Sequence, residues 1–448
     1  MRHIRRACAL WLAVLAAVLA CVPADGQTPA SQTTVLRAAR MLDPQSGEVI
    51  RNAVVIVEGD AIMAAGANLT APAGAKVIDL GNMILLPGLI DCHTHLLENY
   101  QPGIGGDSPN MIVTVATMSP ARRVLLGAKM GREDLEAGIT SVREVGNSGW
   151  NGDVALRDAI EDGWVVGPRI FASTRALADA GGQFFGGLAP YAQNLVEQEY
   201  AVINGSEDAR RAVRQAAFDG ADLIKVIVNT PPRVLTLEEM KAIVDEAQRM
   251  GMRVAAHATN PIATRTAAEA GVNSIEHGYR IEDDALKLMA SKNIDLVPTD
   301  YPADFYVSGL GGTAMTPEER QRRLASVQQS VARSRERVQR AIRLGVKIAF
   351  GSDEYYDISG QTRGQSSLLT LQAYQEDGMS PLEVIRTATI NAADLLGESD
   401  RLGTMELGKF ADIIAVAGDP LRDVKELQRV RFVMKGGQVI RNDGAEAR

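Results

Sequence analysis

Eight short apolar runs that resemble buried β-strands recur along this chain, and stretches with helical periodicity separate them. The runs are residues 83–92, 138–145, 168–173, 222–228, 252–257, 273–277, 294–299 and 346–351. Strands that alternate with helices indicate repeated βαβ units, because parallel strands need a long crossover connection. Eight such units build a (β/α)8 TIM-like barrel, which takes roughly 250 residues. We therefore predict one α/β barrel over residues 86–399.

Both ends of the chain contain strand-like segments without helical periodicity. They are residues 34–38, 53–60 and 76–80 before the barrel, and 411–416 and 430–435 after it. Gly436 and Gly437 mark a hairpin turn after the last of them. We predict one small β-sandwich domain formed by both termini, from residues 27–85 plus 400–448.

The longest predicted helix follows the seventh barrel strand. Thr316 is a suitable N-cap and Pro317 suits the first helical position, so the helix should run from there to Leu344 and end at Gly345. The preceding residues 301–312 are rich in glycine and aromatic residues. Two interpretations stay open for them: a lid over an active site and an ordinary surface loop.

The first 26 residues have the pattern of a signal peptide. Three arginines precede an apolar run at residues 7–21, and Ala24 and Gly26 provide small residues for cleavage. The run is short for a membrane span, and no comparable run follows it. An imperfect lipobox ending in Cys21 leaves a lipid-anchored form open. We predict an exported protein, periplasmic or secreted, without a transmembrane segment.

Charge and cysteine content limit the function classes. The formal net charge is −8, and no basic cluster follows the leader, which argues against nucleic acid and anionic membranes as partners. Cys92 is the only cysteine after the leader, so the processed chain can form no intrachain disulfide. Its position is one residue out of phase with His93, which predicts a buried structural thiol rather than a metal ligand.

Histidine is confined to the ends of predicted strands. Apart from His3 in the leader, the chain has four histidines: His93, His95, His257 and His277. Side chains at i and i+2 on a strand share a face, so the first two can bind one ion together. A single His-x-His pair also occurs among ordinary core or surface histidines. Four out of four at strand ends indicate a transition-metal site.

Lys225 and Asp353 complete the cluster. Lys225 interrupts a run that should be buried, and Asp353 follows the eighth strand. Barrel active sites lie at the C-terminal strand ends. Burial should lower the pKa of Lys225, and its neutral amine can react with carbon dioxide to form a carbamate that bridges two cations. The structural alternatives are a buried ion pair for Lys225 and a helix cap or turn for Asp353.

Together these residues resemble the binuclear amidohydrolase superfamily. The matching positions are residues 86–95, Lys225, His257, His277, Asp353 and the tail segments 389–393 and 408–412. The resemblance covers essentially the whole chain after the leader. Within the superfamily the chain is most similar to the imidazolonepropionase-like and prolidase-like branch, which includes Xaa-Pro and Xaa-Arg dipeptidases and ochratoxin-hydrolysing amidases.

The resemblance implies two zinc ions, or two other divalent metal ions, per chain. The implied ligands are His93, His95 and Asp353 for one ion, His257 and His277 for the other, and Lys225 as a bridging N6-carboxylysine. It also implies a metal-bound hydroxide as the nucleophile, with Asp353 transferring a proton to the leaving amine. Asp353 and Lys225 are therefore the candidate catalytic residues. We also expect a homo-oligomer.

Several loop positions depart from the pattern of the relatives. Gln183 follows two glycines where relatives often have histidine, Leu235 and Thr236 replace a Tyr-Ser pair, and residues 354–360 replace a Pro-His-Gly stretch. The substrates of the relatives therefore do not transfer to this chain.

Three functions compete. The first is a hydrolase that releases an amino acid from a dipeptide, an N-acyl amino acid or an ochratoxin-like amide. The second is a cyclic-amide hydrolase or deaminase of the imidazolonepropionase type, against which Lys225 argues because mononuclear relatives generally lack it. The third is a non-catalytic secreted metal-binding protein, against which the complete ligand set argues.

A leaving amino acid carries an α-carboxylate, which needs a cation or several hydrogen-bond donors in a water-poor site. The candidates for substrate contacts are Tyr279, Arg280, Gln183, Phe184, Tyr355 and Tyr356. The alternative is that these loop residues only pack at the rim.

Overall fold

The computed structural model describes residues 33–99, 111–184, 188–230, 232–308, 315–355, 358 and 360–444. The predicted signal peptide, with Cys21, lies outside the described residues, as does Tyr356. None of the described helices is both long and apolar enough to cross a membrane.

Five strands open the described chain. They are β1 (Thr34–Leu42), β2 (Val49–Glu58), β3 (Ala61–Ala67), β4 (Lys76–Asp79) and β5 (Ile84–Pro87). β1 pairs antiparallel with β2, and β2 with β3, while β4 and β5 both run parallel to β1. Alternate apolar side chains of this sheet, such as Leu36, Val55 and Leu85, are buried in one cluster, as expected for strands with one covered face.

The central part of the chain contributes eleven short strands. They are β6 (Leu89–Thr94), β7 (Ile139–Glu144), β8 (Arg169–Ala172), β9 (Ala176–Ala178), β10 (Tyr200–Val202), β11 (Leu223–Ile227), β12 (Asn229–Thr230), β13 (Arg233–Val234), β14 (Arg253–Ala258), β15 (Ser274–His277) and β16 (Asp295–Val297). β6, β7 and β8 form one parallel sheet. β10, β9, β11, β14, β15 and β16 form a second parallel sheet in that order, and β12 and β13 form a hairpin.

Backbone hydrogen bonds also connect the edges of the two parallel sheets. The Asp222 N–H before β11 donates to the Ala172 carbonyl of β8 at 2.7 Å, and the Cys92 N–H of β6 donates to the Phe350 carbonyl at 2.8 Å. Ile348 forms a parallel bridge with Leu296 of β16. The predicted eighth strand is thus reduced to a single bridge, because the Phe350 N–H donates to the Thr387 carbonyl at 2.9 Å instead of to a neighbouring strand.

Helices lie between most of the parallel strands. They are α1 (Met111–Thr117), α2 (Pro120–Glu136), α3 (Gly152–Glu161), α4 (Gln193–Glu199), α5 (Ser206–Phe218), α6 (Leu237–Arg249), α7 (Pro261–Ala270), α8 (Asp283–Lys292), α9 (Ala303–Ser308), α10 (Pro317–Arg343), α11 (Arg363–Ser367), α12 (Leu369–Glu376), α13 (Pro381–Thr387) and α14 (Ile390–Leu396). The predicted long helix is confirmed as α10. Thr316 caps it through a capping box with Glu319, which satisfies two backbone N–H groups that a helix start leaves unpaired.

The C-terminal strands return to the first sheet. β17 (Ile413–Val416) pairs antiparallel with β5, and β18 (Val430–Lys435) and β19 (Gln438–Asn442) follow it outward. Both ends of the chain therefore share one hydrogen-bonded sheet, in the order β19-β18-β17-β5-β1-β2-β3, with β4 also on β1. The sandwich arrangement and the division into domains stay predictions.

The run at residues 83–92 was predicted as one barrel strand, and the structure divides it at Gly88. β5 belongs to the sheet of the termini and β6 to the parallel sheet, so the terminal sheet reaches Pro87 rather than residue 85. A Cβ atom at position 88 would lie 2.1 Å from the Thr140 hydroxyl oxygen. Glycine is therefore required where the chain passes from one sheet to the other.

Candidate active site

Parallel strand ends bring the predicted ligands together. His93 lies on β6, Lys225 on β11, His257 on β14 and His277 on β15. The register places Ile227 beside His257, and Ala258 beside His277. Asp353 follows the segment that bonds to β6, and its N–H donates to the His93 carbonyl at 2.8 Å. Residues far apart in sequence therefore lie together at the C-terminal ends of the parallel strands.

The Asp353 carboxylate lies among three of the histidines. Its Oδ1 is 3.2 Å from His95 Nε2 and 3.5 Å from His93 Nε2, and its Oδ2 is 3.8 Å from His277 Nδ1. The ligand atoms of His93, His277 and Asp353 all lie within 4.8 Å of one another. The His257 ring centroid is 4.6 Å from that of His277. This spacing suits metal coordination by imidazole and carboxylate.

Lys225 lies inside this cluster. It is 2% exposed, and its Nζ is 3.5 Å from His93 Nε2. Among the described residues no carboxylate forms a direct ion pair with it, although the charges of Glu276 and Asp353 act on it from a greater distance. Burial lowers the pKa of Lys225 to about 8, which increases the neutral amine fraction near neutral pH.

The histidines are electrostatically suited to bind cations. Burial, followed by the charge of Lys225, lowers the pKa of His93 well below its usual value and that of His257 to about 3. Burial and the neighbouring His257 likewise lower the pKa of His277. For His95, burial lowers the pKa, but the hydrogen bond and charge of Asp353 outweigh it and raise the pKa. Neutral imidazoles present a free lone pair, so these donor atoms fit a site for metal ions.

The loops at the C-terminal ends of these strands have an unusual backbone conformation. Three non-glycine residues at the cluster have left-handed φ values: +68° at His277, +58° at Thr299 and +54° at Asp353. Side chains other than glycine rarely adopt this region, and such strain concentrates at functional sites. Here it directs His277 Nδ1 to the Thr299 hydroxyl at 2.8 Å.

Two residues of the site were not predicted from the sequence. Glu276 is fully buried, and its Oε2 accepts a hydrogen bond from His93 Nδ1 at 2.7 Å. Arg143 on β7 donates to Glu276 Oε1 at 2.7 Å. Both are charged residues within strands predicted to be buried, the same feature that identified Lys225, so the sequence contained an indication of them.

The predicted substrate contacts on the later loops lie near the cluster. The Tyr279 hydroxyl is 3.4 Å from His277 Nδ1, and the Tyr355 ring centroid is 6.1 Å from that of His95. Arg280 is exposed in the turn after β15. The Arg337 guanidinium lies 5.3 Å from the centre of the Tyr279 ring. Tyr279 and Tyr355 thus border the cluster, and Arg280 is exposed on the loop that follows His277.

Two other predicted substrate contacts lie in a packed region. Phe184 is 5% exposed, and its ring packs edge-on against Tyr200 at 5.8 Å. Gln183 Oε1 accepts a hydrogen bond from the Tyr200 hydroxyl at 3.3 Å. Their surroundings include Val115 and Val196. This placement favours the packing alternative for Phe184, because its ring already fills an apolar cluster.

The start of the glycine- and aromatic-rich segment is ordered against the site. Tyr301 stacks on Phe305 of α9 at 3.9 Å, and its hydroxyl donates to the buried Glu354 carboxylate at 2.7 Å. Glu354 is the residue after Asp353. Residues 309–312 of the predicted lid or loop lie outside the described residues.

The sequence profile of the Amidohydrolase family matches residues 84–440. The chain belongs to the amidohydrolase family. Ochratoxinase of Aspergillus niger is 30% identical over 456 residues, which cover 93% of this chain and 88% of that protein. Imidazolonepropionase of Fusobacterium nucleatum is 25% identical, over 82% of this chain and 85% of that protein.

Solved structures agree with this assignment. A crystal structure of a Xaa-Pro dipeptidase with bound methionine matches with a TM-score of 0.78 and 30% identity, over 91% of this chain and 99% of the other. The crystal structure of Aspergillus niger ochratoxinase matches with a TM-score of 0.77 and 28% identity, over 93% and 99%. The predicted family and branch are confirmed, and the neighbours imply a TIM-like barrel with an additional domain.

This amidohydrolase is therefore a hydrolase that acts on amide bonds. Members of the superfamily are generally binuclear and metal-dependent, and His93, His277 and Asp353 form a candidate metal site in the described structure.

Proposed function

We propose that this amidohydrolase is an exported binuclear zinc enzyme that cleaves an amide or peptide bond to release an amino acid. The substrate class is a dipeptide, an N-acyl amino acid or an ochratoxin-like amide. The observation that carries the proposal is the cluster of imidazoles around the Asp353 carboxylate, with the buried Lys225 amine 3.5 Å from His93 Nε2. Relatives whose names specify ochratoxin and Xaa-Pro substrates support the substrate class.

The scaffold in this proposal is a closed (β/α)8 barrel. The bonds from β8 to the start of β11, and from the 347–350 segment to both β16 and β6, support it, because they connect the two parallel sheets at both edges. The zinc ligands would be His93, His95 and Asp353 for one ion and His257 and His277 for the other, with Lys225 between them as N6-carboxylysine. Bound zinc would supply a water of lowered pKa and would polarise the scissile carbonyl.

The proposed proton transfer belongs to Asp353. Its side chain is 16% exposed, whereas that of His93 is 1% exposed, so this carboxylate reaches the open end of the site. A carboxylate there can take a proton from water and pass it to the departing amine. The left-handed backbone of Asp353 and its bond to the His93 carbonyl keep this carboxylate between the histidines.

The substrate carboxylate would meet the loop after β15. Tyr279 and Arg280 are the phenol and the cation on that loop, and the Tyr355 ring lies near His95. A charge-assisted hydrogen bond from a guanidinium suits a carboxylate in a partly dry site.

Export to the periplasm or exterior, and assembly into a homo-oligomer, are part of the same proposal. The signal-peptide pattern of residues 1–26 supports export. Fractionation of cells that express the full chain, followed by mass measurement of the mature N-terminus, tests cleavage near Gly26 against processing before Cys21.

The deciding experiment combines metal analysis with a substrate screen on the purified mature protein. We expect about two zinc ions per chain, the number in two-metal hydrolases, and release of amino acids from dipeptides or N-acyl amino acids. One tightly bound ion with activity on cyclic amides or amines would support the imidazolonepropionase-type alternative. Bound metal with no turnover on any of these substrates would support a non-catalytic metal-binding protein.

A further inference from the structure

Glu276 connects a metal-ligand candidate to a buried charge network. Its carboxylate is 0% exposed and lies one residue before His277 on β15. Oε2 accepts from His93 Nδ1 at 2.7 Å, while Oε1 accepts from Arg143 at 2.7 Å and from the Ser274 hydroxyl. A buried carboxylate is costly unless it is paired and hydrogen-bonded. Both oxygens of Glu276 meet that requirement.

Arg143 fixes this carboxylate relative to the strand that carries His93. Its Nη1 donates to Ser274 Oγ at 3.0 Å, and its Nε donates to the carbonyl of Cys92, the residue directly before His93. Arg143 is 2% exposed. One guanidinium on β7 therefore bonds to both β6 and β15, so the distance between Glu276 and His93 is set by the scaffold and not by a mobile side chain.

Two of the other histidines, His95 and His277, have uncharged hydrogen-bond partners at Nδ1, and the Asp353 carboxylate lies farther from His277 Nδ1, at 3.8 Å. His95 Nδ1 lies 3.0 Å from the Gly146 carbonyl oxygen, and His277 Nδ1 lies 2.8 Å from the Thr299 hydroxyl. An ionised acceptor makes a shorter and stronger hydrogen bond than a neutral one. A carboxylate on one imidazole nitrogen also makes the other nitrogen more basic and fixes the tautomer. The bond to Glu276 therefore makes His93 Nε2 a stronger metal donor than it would be with a neutral partner at Nδ1, and this nitrogen lies 3.5 Å from Asp353 Oδ1.

We propose that Glu276 is a positioning residue that gives the metal position of His93 a higher affinity than the position of His257 and His277. The two ions then bind in sequence, the His93 position first. This inference rests on the proposed binuclear function. It adds to the difference in ligand number, since three implied ligands hold the His93 position and two hold the other, besides Lys225.

The test is a Co²⁺ titration of metal-free protein, followed by visible absorption and calorimetry. Wild type should show two steps, with affinities that differ by at least about 10-fold. Glu276→Gln should weaken the tighter step by about 10–100-fold, the usual effect of removing such a partner, and leave the weaker step unchanged. His257→Asn should keep the tight step and His93→Asn should lose it, which assigns the steps to positions.

Glu199→Gln is the matched control. Glu199 is also a fully buried glutamate that is paired with an arginine, but its carboxylate accepts from Arg123 and not from an imidazole. Both Co²⁺ steps of this variant should stay within about 2-fold of wild type, since the ligand histidines keep their partners.

Wild-type affinities in a folded Glu276→Gln variant overturn the proposal, and so do two equal steps in wild type. Where Glu276→Gln does not fold, Glu276→Asp replaces it: the charge beside Arg143 is kept while the bond to His93 lengthens, and an unchanged tight step contradicts the proposal. A single Co²⁺ step in an active wild type, with His257→Asn harmless, refutes the binuclear function itself.

Discussion

Asp353 is held in a conformation that its own side chain disfavours. Its φ is +54°, its N–H bonds to the His93 carbonyl, and its carboxylate reaches three imidazoles. The surrounding contacts therefore hold this carboxylate between the histidines. A substitution of Asp353 can therefore distinguish its role in zinc binding from its role in proton transfer.

We expect Asp353→Asn to retain much of its zinc and lose turnover. The amide keeps an oxygen ligand but cannot carry the proton, and general acid–base catalysis typically contributes 10²–10⁴-fold. The measurement is zinc content together with kcat on the best substrate of the screen. Near-normal kcat would remove Asp353 from proton transfer.

Lys225→Ala should lose both metal and activity. A small carboxylic acid should restore part of each, since its two oxygens can replace those of the carbamate between the ions. Native mass spectrometry of wild type should detect the added carbon dioxide. An active holoenzyme with an unmodified Lys225 would contradict this prediction.

The lowered pKa of Lys225 predicts how reconstitution depends on pH. Only the neutral amine reacts with carbon dioxide, and burial lowers the pKa of this lysine to about 8. At fixed free metal and fixed dissolved carbon dioxide, the rate of reactivation of metal-free enzyme should rise with pH up to about 8 and then level off. With an unperturbed lysine, the rate of reactivation would continue to rise with pH up to about 10.4. A continued rise to that pH would contradict burial of the amine before metal binds.

At the scale of elements, Gly88 is the junction between the terminal sheet and the first parallel strand. The Gly88 N–H donates to the Asp412 carbonyl at 2.8 Å, and its Cα faces Thr140 too closely for a side chain. We expect Gly88→Ala to lower the free energy of unfolding by about 1–3 kcal/mol, because overpacking forces neighbours apart. Urea unfolding measures the change.

Gly66→Ala is the control for that variant. Gly66 also lies in a strand, β3, and a Cβ there would meet only Leu69 at ordinary contact distances of 3.8 Å and above. Its stability should change by less than about 0.5 kcal/mol, as for most surface substitutions. Equal losses in both variants would show that the effect is general to strand glycines and not specific to Thr140.

Local patterns predicted the elements well and the junctions poorly. α10 matched its predicted start because Thr316, Pro317 and Glu319 are local cues. The division at Gly88 depends on Asp412 and Thr140, which no window around residue 88 contains. Glu276 and Arg143 also depend on residues that are distant in sequence. The role of a charged residue within an apolar strand becomes clear only when its partner on another strand is known.

At the scale of the whole molecule, the mouth of the site is assembled from distant parts of the chain. The loop after β15, the residues after Asp353 and the start of α9 all contribute to it. The strand-end cluster could be predicted from the sequence because a barrel collects strand ends. The mouth could not, because loop positions follow from contacts such as Arg337 with Tyr279 and Asp300.

The mouth carries the prediction about substrates. N-acyl amino acids should have higher kcat/KM than their carboxamides, by roughly 10–100-fold, since a charged hydrogen bond contributes about 1.5–3 kcal/mol. Arg280→Gln should reduce this preference. Arg265→Gln, on the outer surface of α7 in an ion pair with Glu269, should not. Equal kcat/KM for acids and carboxamides in wild type would show a carboxylate-blind amidase.

The pairing of β5 with β17 has a consequence for how the protein is made. The strand that leads into His93 pairs with β17, which follows it by more than about 300 residues along the chain. A nascent chain therefore cannot close the terminal sheet while it is being synthesised, and contacts of such long sequence separation form slowly. A chain that is released early would keep the edge of β5 unpaired. Only chains that extend through β17 would then finish the sheet from which the strand of His93 begins.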